Sequence, residues 1–140
     1  MRARHILVVE DSEEDFDTVK DAAERSGILH PIVRATSGGE CLRLLRSAAG
    51  TRHALPMLLL LDLNTPGDDG RDVLRDICQE EALSTLPIVV LSASANPRDL
   101  HFCYSHRVNA YHVKPVNHVL HLQMLQQVFA YWLGGVVLPE

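Results

Sequence analysis

The chain of 140 residues predicts one open α/β domain built on a parallel sheet. Two observations carry this expectation. Apolar runs of strand length recur at 5–10 (HILVVE), 31–36 (PIVRAT), 57–62 (MLLLLD), 87–92 (PIVVLS) and 109–113 (NAYHV). All but one are continuously apolar without alternation, the pattern of strands covered on both faces in a parallel sheet. Segments with helix start and stop signals lie between the runs, so strand and helix alternate and the crossovers are right-handed.

Each element has its own justification. The first run closes on Glu10 and Asp11, after which Ser12 and Asp15 stand at capping-box spacing. Phe16, Val19 and Ala23 then share a helix face until Gly27 stops the helix. Ser37 with Glu40 opens a second helix after PIVRAT. The third run ends at Asp62 within LLLLDLN, and the next plausible helix start lies near Asp69, with Val73, Leu74 and Ile77 on one face. Ser92 ends the fourth run, and Asn96 followed by Pro97 reads as an N-cap and first helical residue. The fifth run leads into Val113, Lys114 and Pro115. A last helix begins near Asn117 with Val119, Leu122, Leu125, Phe129 and Trp132 on the face expected to meet the sheet. A second apolar side, Leu120, Met124, Val128 and Tyr131, would lie in water unless covered, and it predicts a homodimer.

Composition narrows the classes. Hydrophobic residues make up 46% and charged residues 22%, the balance of a globular domain. A net charge of −5 with scattered basic residues argues against nucleic acid as a partner. Cys41, Cys78 and Cys103 are odd in number and form no CxxC pair, which fits a reducing cytoplasm better than a disulfide framework. There is no signal-peptide pattern and no apolar stretch of membrane-spanning length, so neither secretion nor a membrane is expected.

In open α/β sheets ligands bind outside the carboxyl ends of the strands, and Glu10, Asp11, Asp62 and Ser92 all fall on that edge. Taken singly, Ser92 and Asp11 read as helix caps. Glu13, Glu14 and Asp15 read as an acidic first turn favoured by the helix dipole. Asp62 is too far from the next helix to cap it. With the first and third strands adjacent, Glu10 and Asp11 would repel Asp62 unless a cation intervened, and a hard ion such as magnesium suits carboxylates. Lys114, at the fifth strand's tip, is placed to reach Asp62 or an oxyanion attached to it, and the Ser92 hydroxyl to bond the same oxyanion. Among the histidines, His118 and His121 have helical spacing but no third ligand nearby, so no metal site is expected there.

These elements, in this order, resemble the receiver domain of two-component response regulators: the acidic pair Glu10 and Asp11, the aspartate of LLDLN, the loop TPGDDG at 65–70, the serine of VLSAS, and the aromatic, lysine and proline of YHVKP. The resemblance implies a flavodoxin-like, doubly wound sheet in the order 2-1-3-4-5 with helices on both faces, spanning 1–140 as a single domain. It implies Asp62 as phosphoacceptor and Asp11 as a direct magnesium ligand. Glu10 would bind through water, and the main-chain carbonyl of Asn64 would complete the protein ligands. Lys114 and Ser92 would hold the phosphoryl group, and Tyr111 would rotate in response. Glu10 replaces a commoner aspartate, and Asp68 stands where the family's loop usually has methionine. The segment AYWL and the tail GGVVLPE resemble the ends of receivers that serve phytochrome kinases. The expected partner is therefore a sensor histidine kinase, with a phytochrome as candidate; with no output domain expected to follow, output would pass through another protein, and a downstream phosphotransfer protein, feedback on the kinase and use as a phosphate sink all stay open. Such a protein is a phosphoacceptor that assists its own phosphorylation and dephosphorylation rather than an enzyme.

Three other readings compete with this one. A docking receiver that takes no phosphate would not need the full set of chemical residues. A magnesium-dependent aspartyl phosphohydrolase of the haloacid dehalogenase type would carry a second aspartate where this chain has Asn64. A flavin mononucleotide carrier would bind phosphate after the first strand, where five of six residues are acidic.

Overall fold

A computed structural model describes residues 4–51, 54–63 and 70–139. Five strands, β1 (Ile6–Val9), β2 (Ile32–Ala35), β3 (Leu58–Asp62), β4 (Ile88–Ser92) and β5 (Ala110–Val113), form one parallel sheet in the order β2-β1-β3-β4-β5. Five helices alternate with them: α1 (Glu13–Arg25), α2 (Gly38–Ala48), α3 (Gly70–Gln79), α4 (Pro97–Ser105) and α5 (His118–Ala130).

The unbroken apolar runs are explained by a core on each side of the sheet. Leu7, Val9, Leu59, Leu61 and Val90 point to one face and pack with Cys41 and Leu45 of α2, Val73, Leu74 and Ile77 of α3, and Cys103 of α4. Their chain neighbours Ile6, Val8, Leu58, Leu60, Val89 and Leu91 point to the other, against Phe16, Val19 and Ala23 of α1 and Leu125, Val128 and Phe129 of α5. Burying each such side chain stabilises the fold by about 1.5–3 kcal/mol. PIVRAT is less apolar because β2 is an edge strand, in which only Ala35 is buried and Val33 is exposed.

Helix starts follow the caps. Ser12 Oγ accepts from Asp15 N at 3.2 Å, Ser37 Oγ from Glu40 N at 3.1 Å, and Asn117 Oδ1 from Leu120 N at 3.0 Å. Asn96 Oδ1 accepts from Arg98 N at 2.9 Å, with Pro97 as the first residue of α4. Gly27, at φ 70°, turns the chain out of α1 in the left-handed conformation that glycine adopts without steric cost. Cys41, Cys78 and Cys103 are free, and burial pushes the Cys41 and Cys103 thiols up to about 12 and about 11, so neither is a nucleophile at neutral pH.

The last helix departs from the expected phase. Its buried side is His121, Leu125, Val128 and Phe129, while Val119 is 58% exposed. Val128, expected on the dimer side, is 1% exposed and belongs to the core; Val119, expected in the core, faces out. A histidine occupies the turn that the apolar count had given to Val119. Leu120 and Tyr131 remain exposed at 53% and 58%, and Met124 is half-buried against the core. Beyond α5 a π-helical turn, Tyr131–Gly135, continues the axis. The tail then packs Leu138 on the α1–α5 face, and Arg4 Nη1 donates to the carbonyl of Pro139 at 2.6 Å. Among the described residues no helix is long and apolar enough to cross a membrane.

Candidate functional site

Parallel register brings the strand tips together. Val9 pairs with Leu61, so the next residues, Glu10 and Asp62, lie side by side; Ser92 pairs with Val113, so Lys114 follows at the same level. The main chain ties this last step, Lys114 N donating to the Ser92 carbonyl at 2.7 Å. Glu10 and Asp62 are buried at 3% and 4% exposure, whereas Asp11 is exposed. One carboxylate oxygen from each of Glu10, Asp11 and Asp62 lies within 4.8 Å of the others.

Such crowding has an electrostatic signature. The Glu10 carboxyl is pushed up to about 7 by burial, by the neighbouring charge of Asp62 and by a hydrogen bond with it, and Lys114 offsets only part of this. Lys114 Nζ donates to Asp62 Oδ2 at 3.0 Å, to Glu10 Oε1 at 3.1 Å and to Asp15 Oδ2 at 2.8 Å. Burial works to deprotonate this lysine, but the bond to Asp15 and the charges of Asp62 and Glu10 outweigh it, and its ammonium is held more firmly than in water. The residues fit a hard divalent cation: Glu10, Asp11 and Asp62 each offer a carboxylate oxygen, and these oxygens lie within 4.8 Å of one another.

Ser92 and Tyr111 meet through a third residue. Ser92 Oγ accepts from Ser94 N at 3.1 Å, and the Tyr111 hydroxyl donates to the Ser94 carbonyl at 2.7 Å. Ser94 Oγ in turn donates to Asp99 Oδ2 at 2.7 Å and accepts from Asn96 N at 3.1 Å. Arg71, on the first turn of α3, pairs with Asp99. This network fastens the segment between β4 and α4 to α3. The start of α3 is also tight against β3: a Cβ on Gly70 would lie 2.9 Å from Leu63 Cα, so only glycine fits without moving the residue after Asp62.

The structure thus gathers Glu10, Asp11, Asp62 and Lys114 into one cluster, with Ser92 and Tyr111 beside it. Asn64 and the loop residue Asp68 lie outside the described residues. Local reading missed four contributors. Asp15 is a Lys114 partner and not merely a dipole acid. Arg34 of β2 donates to the carbonyls of Glu10 and Asp11 at 2.9 and 3.0 Å and to Glu13 Oε1 at 2.5 Å, bracing the acidic loop; its signal was a charge interrupting an apolar run. Asp99 and Arg71 carried no signal in isolation. His121, 5% exposed, and His118 line the same open cleft of about 370 Å³ as Glu10, Asp11, Asp15, Asp62 and Lys114.

A parallel sheet whose carboxyl edge joins an acidic pair, an aspartate, a serine and a lysine is the arrangement that the resemblance to receiver domains implied. In agreement, residues 6–126 match the response regulator receiver domain, and the chain belongs to that family. Rcp1 of Synechocystis, a response regulator, is 36% identical over 135 residues, covering 96% of this chain and 92% of its own. FilR2 of Methanothrix harundinacea, a probable methanogenesis regulatory protein, is also 36% identical, over 92% of this chain and 83% of its own. The crystal structure of phosphorylated RcpA, a cyanobacterial phytochrome response regulator, superposes with a TM-score of 0.90 at 34% identity, covering 99% of this chain and 100% of that one. Rcp1 has also been crystallised in a form that binds Mn(2+), with a TM-score of 0.89 over 98% of this chain and 99% of that one. The protein is thus a receiver domain of two-component signalling, homologous to phytochrome response regulators. Phosphorylation on aspartate is typical of its family.

Proposed function

We propose that Asp62 accepts a phosphoryl group from the phosphohistidine of a sensor histidine kinase. The observation that carries this reading is Asp62 itself: a buried carboxylate at the carboxyl edge, 3.0 Å from Lys114 and grouped with Glu10 and Asp11. An Asp62 oxygen forms a bond to phosphorus as the phosphorus–nitrogen bond of the donor breaks, and the imidazole leaves with the electron pair and takes a proton. Lys114 offsets charge that gathers on the phosphoryl oxygens. Glu10, Asp11 and Asp62, with the main-chain carbonyl of Asn64, would hold magnesium. When bound, that ion supplies positive charge to the acceptor and to the group being transferred.

Ser92 would turn its hydroxyl to the phosphoryl group, releasing Ser94 and with it the Tyr111 hydroxyl. Converting a 1:99 surface equilibrium to 99:1 takes about 5.5 kcal/mol of differential stabilisation, so the two arrangements must lie close in free energy. The protein acts as a phosphoacceptor of the cytoplasm, one receiver domain over 1–140, and assists its own phosphorylation and dephosphorylation. The likeness to RcpA and the AYWL and GGVVLPE segments support a phytochrome as the kinase. Output would pass to a phosphotransfer protein. A homodimer would use the exposed side of α5, through Leu120, Tyr131 and the edge of Met124, without Val128.

Incubation with magnesium and a small phosphoryl donor should add one phosphoryl mass, and Asp62→Asn should abolish it; label on that variant would refute Asp62 as acceptor. Sedimentation across micromolar dilutions should reveal a dimer that Leu120→Asp dissociates, and a monomer at every concentration rejects this interface.

A further inference from the structure

We propose that Asp15 is a positioning residue for Lys114, the fixed carboxylate that keeps its ammonium aimed at Asp62 while its other partners change during phosphorylation. The inference rests on the assignment of Asp62 as acceptor. An ammonium has three N–H groups, and here they meet three carboxylates, Asp15 at the shortest distance, 2.8 Å. Two of those carboxylates are altered by the reaction. Asp62 loses its charge as it becomes an acyl phosphate, and Glu10 is a candidate cation ligand. Asp15 is neither, so its bond persists when the others weaken. Without it, a lysine on a flexible four-carbon stem would have to find the phosphoryl oxygens unaided.

Local structure frees Asp15 for this task. It stands three residues after the N-cap Ser12, where a capping-box carboxylate would reach back to the N-cap N–H. That N–H instead faces Glu10 Oε2 at 3.4 Å, so the box is half made: Ser12 Oγ accepts from Asp15 N, and the Asp15 carboxylate turns to a lysine 99 residues away. Favouring the helix dipole does not require this residue, because Glu13 and Glu14 occupy the same turn. Its side chain is also two-thirds buried, at 33% exposure, against 80% for Glu13. Asp15 therefore couples α1 to the tip of β5 through a group that is to touch the phosphoryl.

The test uses the full chain with a small phosphoryl donor and magnesium. At saturating donor, Asp15→Asn should slow labelling about tenfold, the scale of one hydrogen bond to a charged group. Its half-saturating magnesium concentration should stay within about threefold of the parent's, since Asp15 is no metal ligand in this scheme. The Lys114 ammonium resonance in nitrogen-15 NMR, assigned by its loss in Lys114→Arg, should broaden in Asp15→Asn and return in Asp15→Glu together with most of the rate. In a Lys114→Ala background, Asp15→Asn should change the rate by less than about twofold, because the two act as a pair. A parental rate with an unchanged ammonium signal overturns the inference, as does a full tenfold loss in the absence of Lys114. If Asp62→Asn still takes label, the acceptor assignment fails instead; if the parent is labelled on Asp62 and Asp15→Asn behaves like it, only the role of Asp15 is lost.

Discussion

Two polar clusters share the carboxyl edge of the sheet and are built on opposite terms. At the tips of β1, β3 and β5, Glu10, Asp15 and Asp62 converge on Lys114, and the Glu10 carboxyl is pushed up to about 7, first by burial and then by the charge of Asp62. At the tip of β4, Ser92, Ser94, Asp99, Arg71 and Tyr111 form a chain in which the acid meets a base and each hydroxyl has a partner. In the proposed scheme the first cluster gains by taking up a cation, and the second resists change. A signalling surface needs both: one place where added charge alters the energy, and a neighbour stiff enough to move as a unit when that happens.

The contrast can be broken at several points. Lys114→Ala, at the strained cluster, should cut labelling by a small donor about 10²–10³-fold, a loss comparable to removing one transition-state donor, as followed by mass spectrometry over time. Asp99→Asn should leave that rate within about threefold and instead speed amide exchange at 93–96 about tenfold, since it loosens only the satisfied cluster. Equal effects of these two variants on labelling would mean that the clusters are not separable.

Acid–base behaviour gives the next largest effect. The folded Glu10 carboxyl keeps its proton to about 7, whereas its ordinary value is 4.5. Between those values the unfolded chain has already released this proton, so stability is greatest below the lower value and is lost as pH rises towards the upper one. Urea midpoints of the metal-free protein should therefore fall across that window, apart from other titrations. Glu10→Gln should flatten the slope, and millimolar magnesium should offset the loss. The smallest effect is expected of Tyr111→Phe, which removes one hydroxyl bond and should cost about 0.5–1.5 kcal/mol in denaturant unfolding while labelling proceeds normally.

The elements that sequence reading found most securely are those whose signal is local. Three apolar runs gave β1, β3 and β4 because a strand covered on both faces has no polar positions to alternate with, whereas β2 and β5 are the edge strands. Asp62 stood out because no helix began close enough to use it as a cap. Asp15 was hidden for the converse reason: an acid in the first turn of a helix has a sufficient local explanation, and nothing near it announces a lysine on another strand. The phase of α5 failed on a chemical ambiguity. Val119 and Val128 are equally apolar in a list, and the decisive residue was His121, buried beside the charged cleft where a hydrophobic pattern would not have placed it. The sheet order rested on the family resemblance, and pairwise register is what turned it into distances.

Gly70 carries no functional group, yet a methyl there would meet the backbone of Leu63 at 2.9 Å. The depth at which Asp62, the proposed acceptor, sits is thus tied to an atom that is missing. A screen for silent receivers should recover Gly70→Ala beside the obvious losses of charge, as a protein that folds, retains every acid and base, and presents its reactive oxygen at the wrong height.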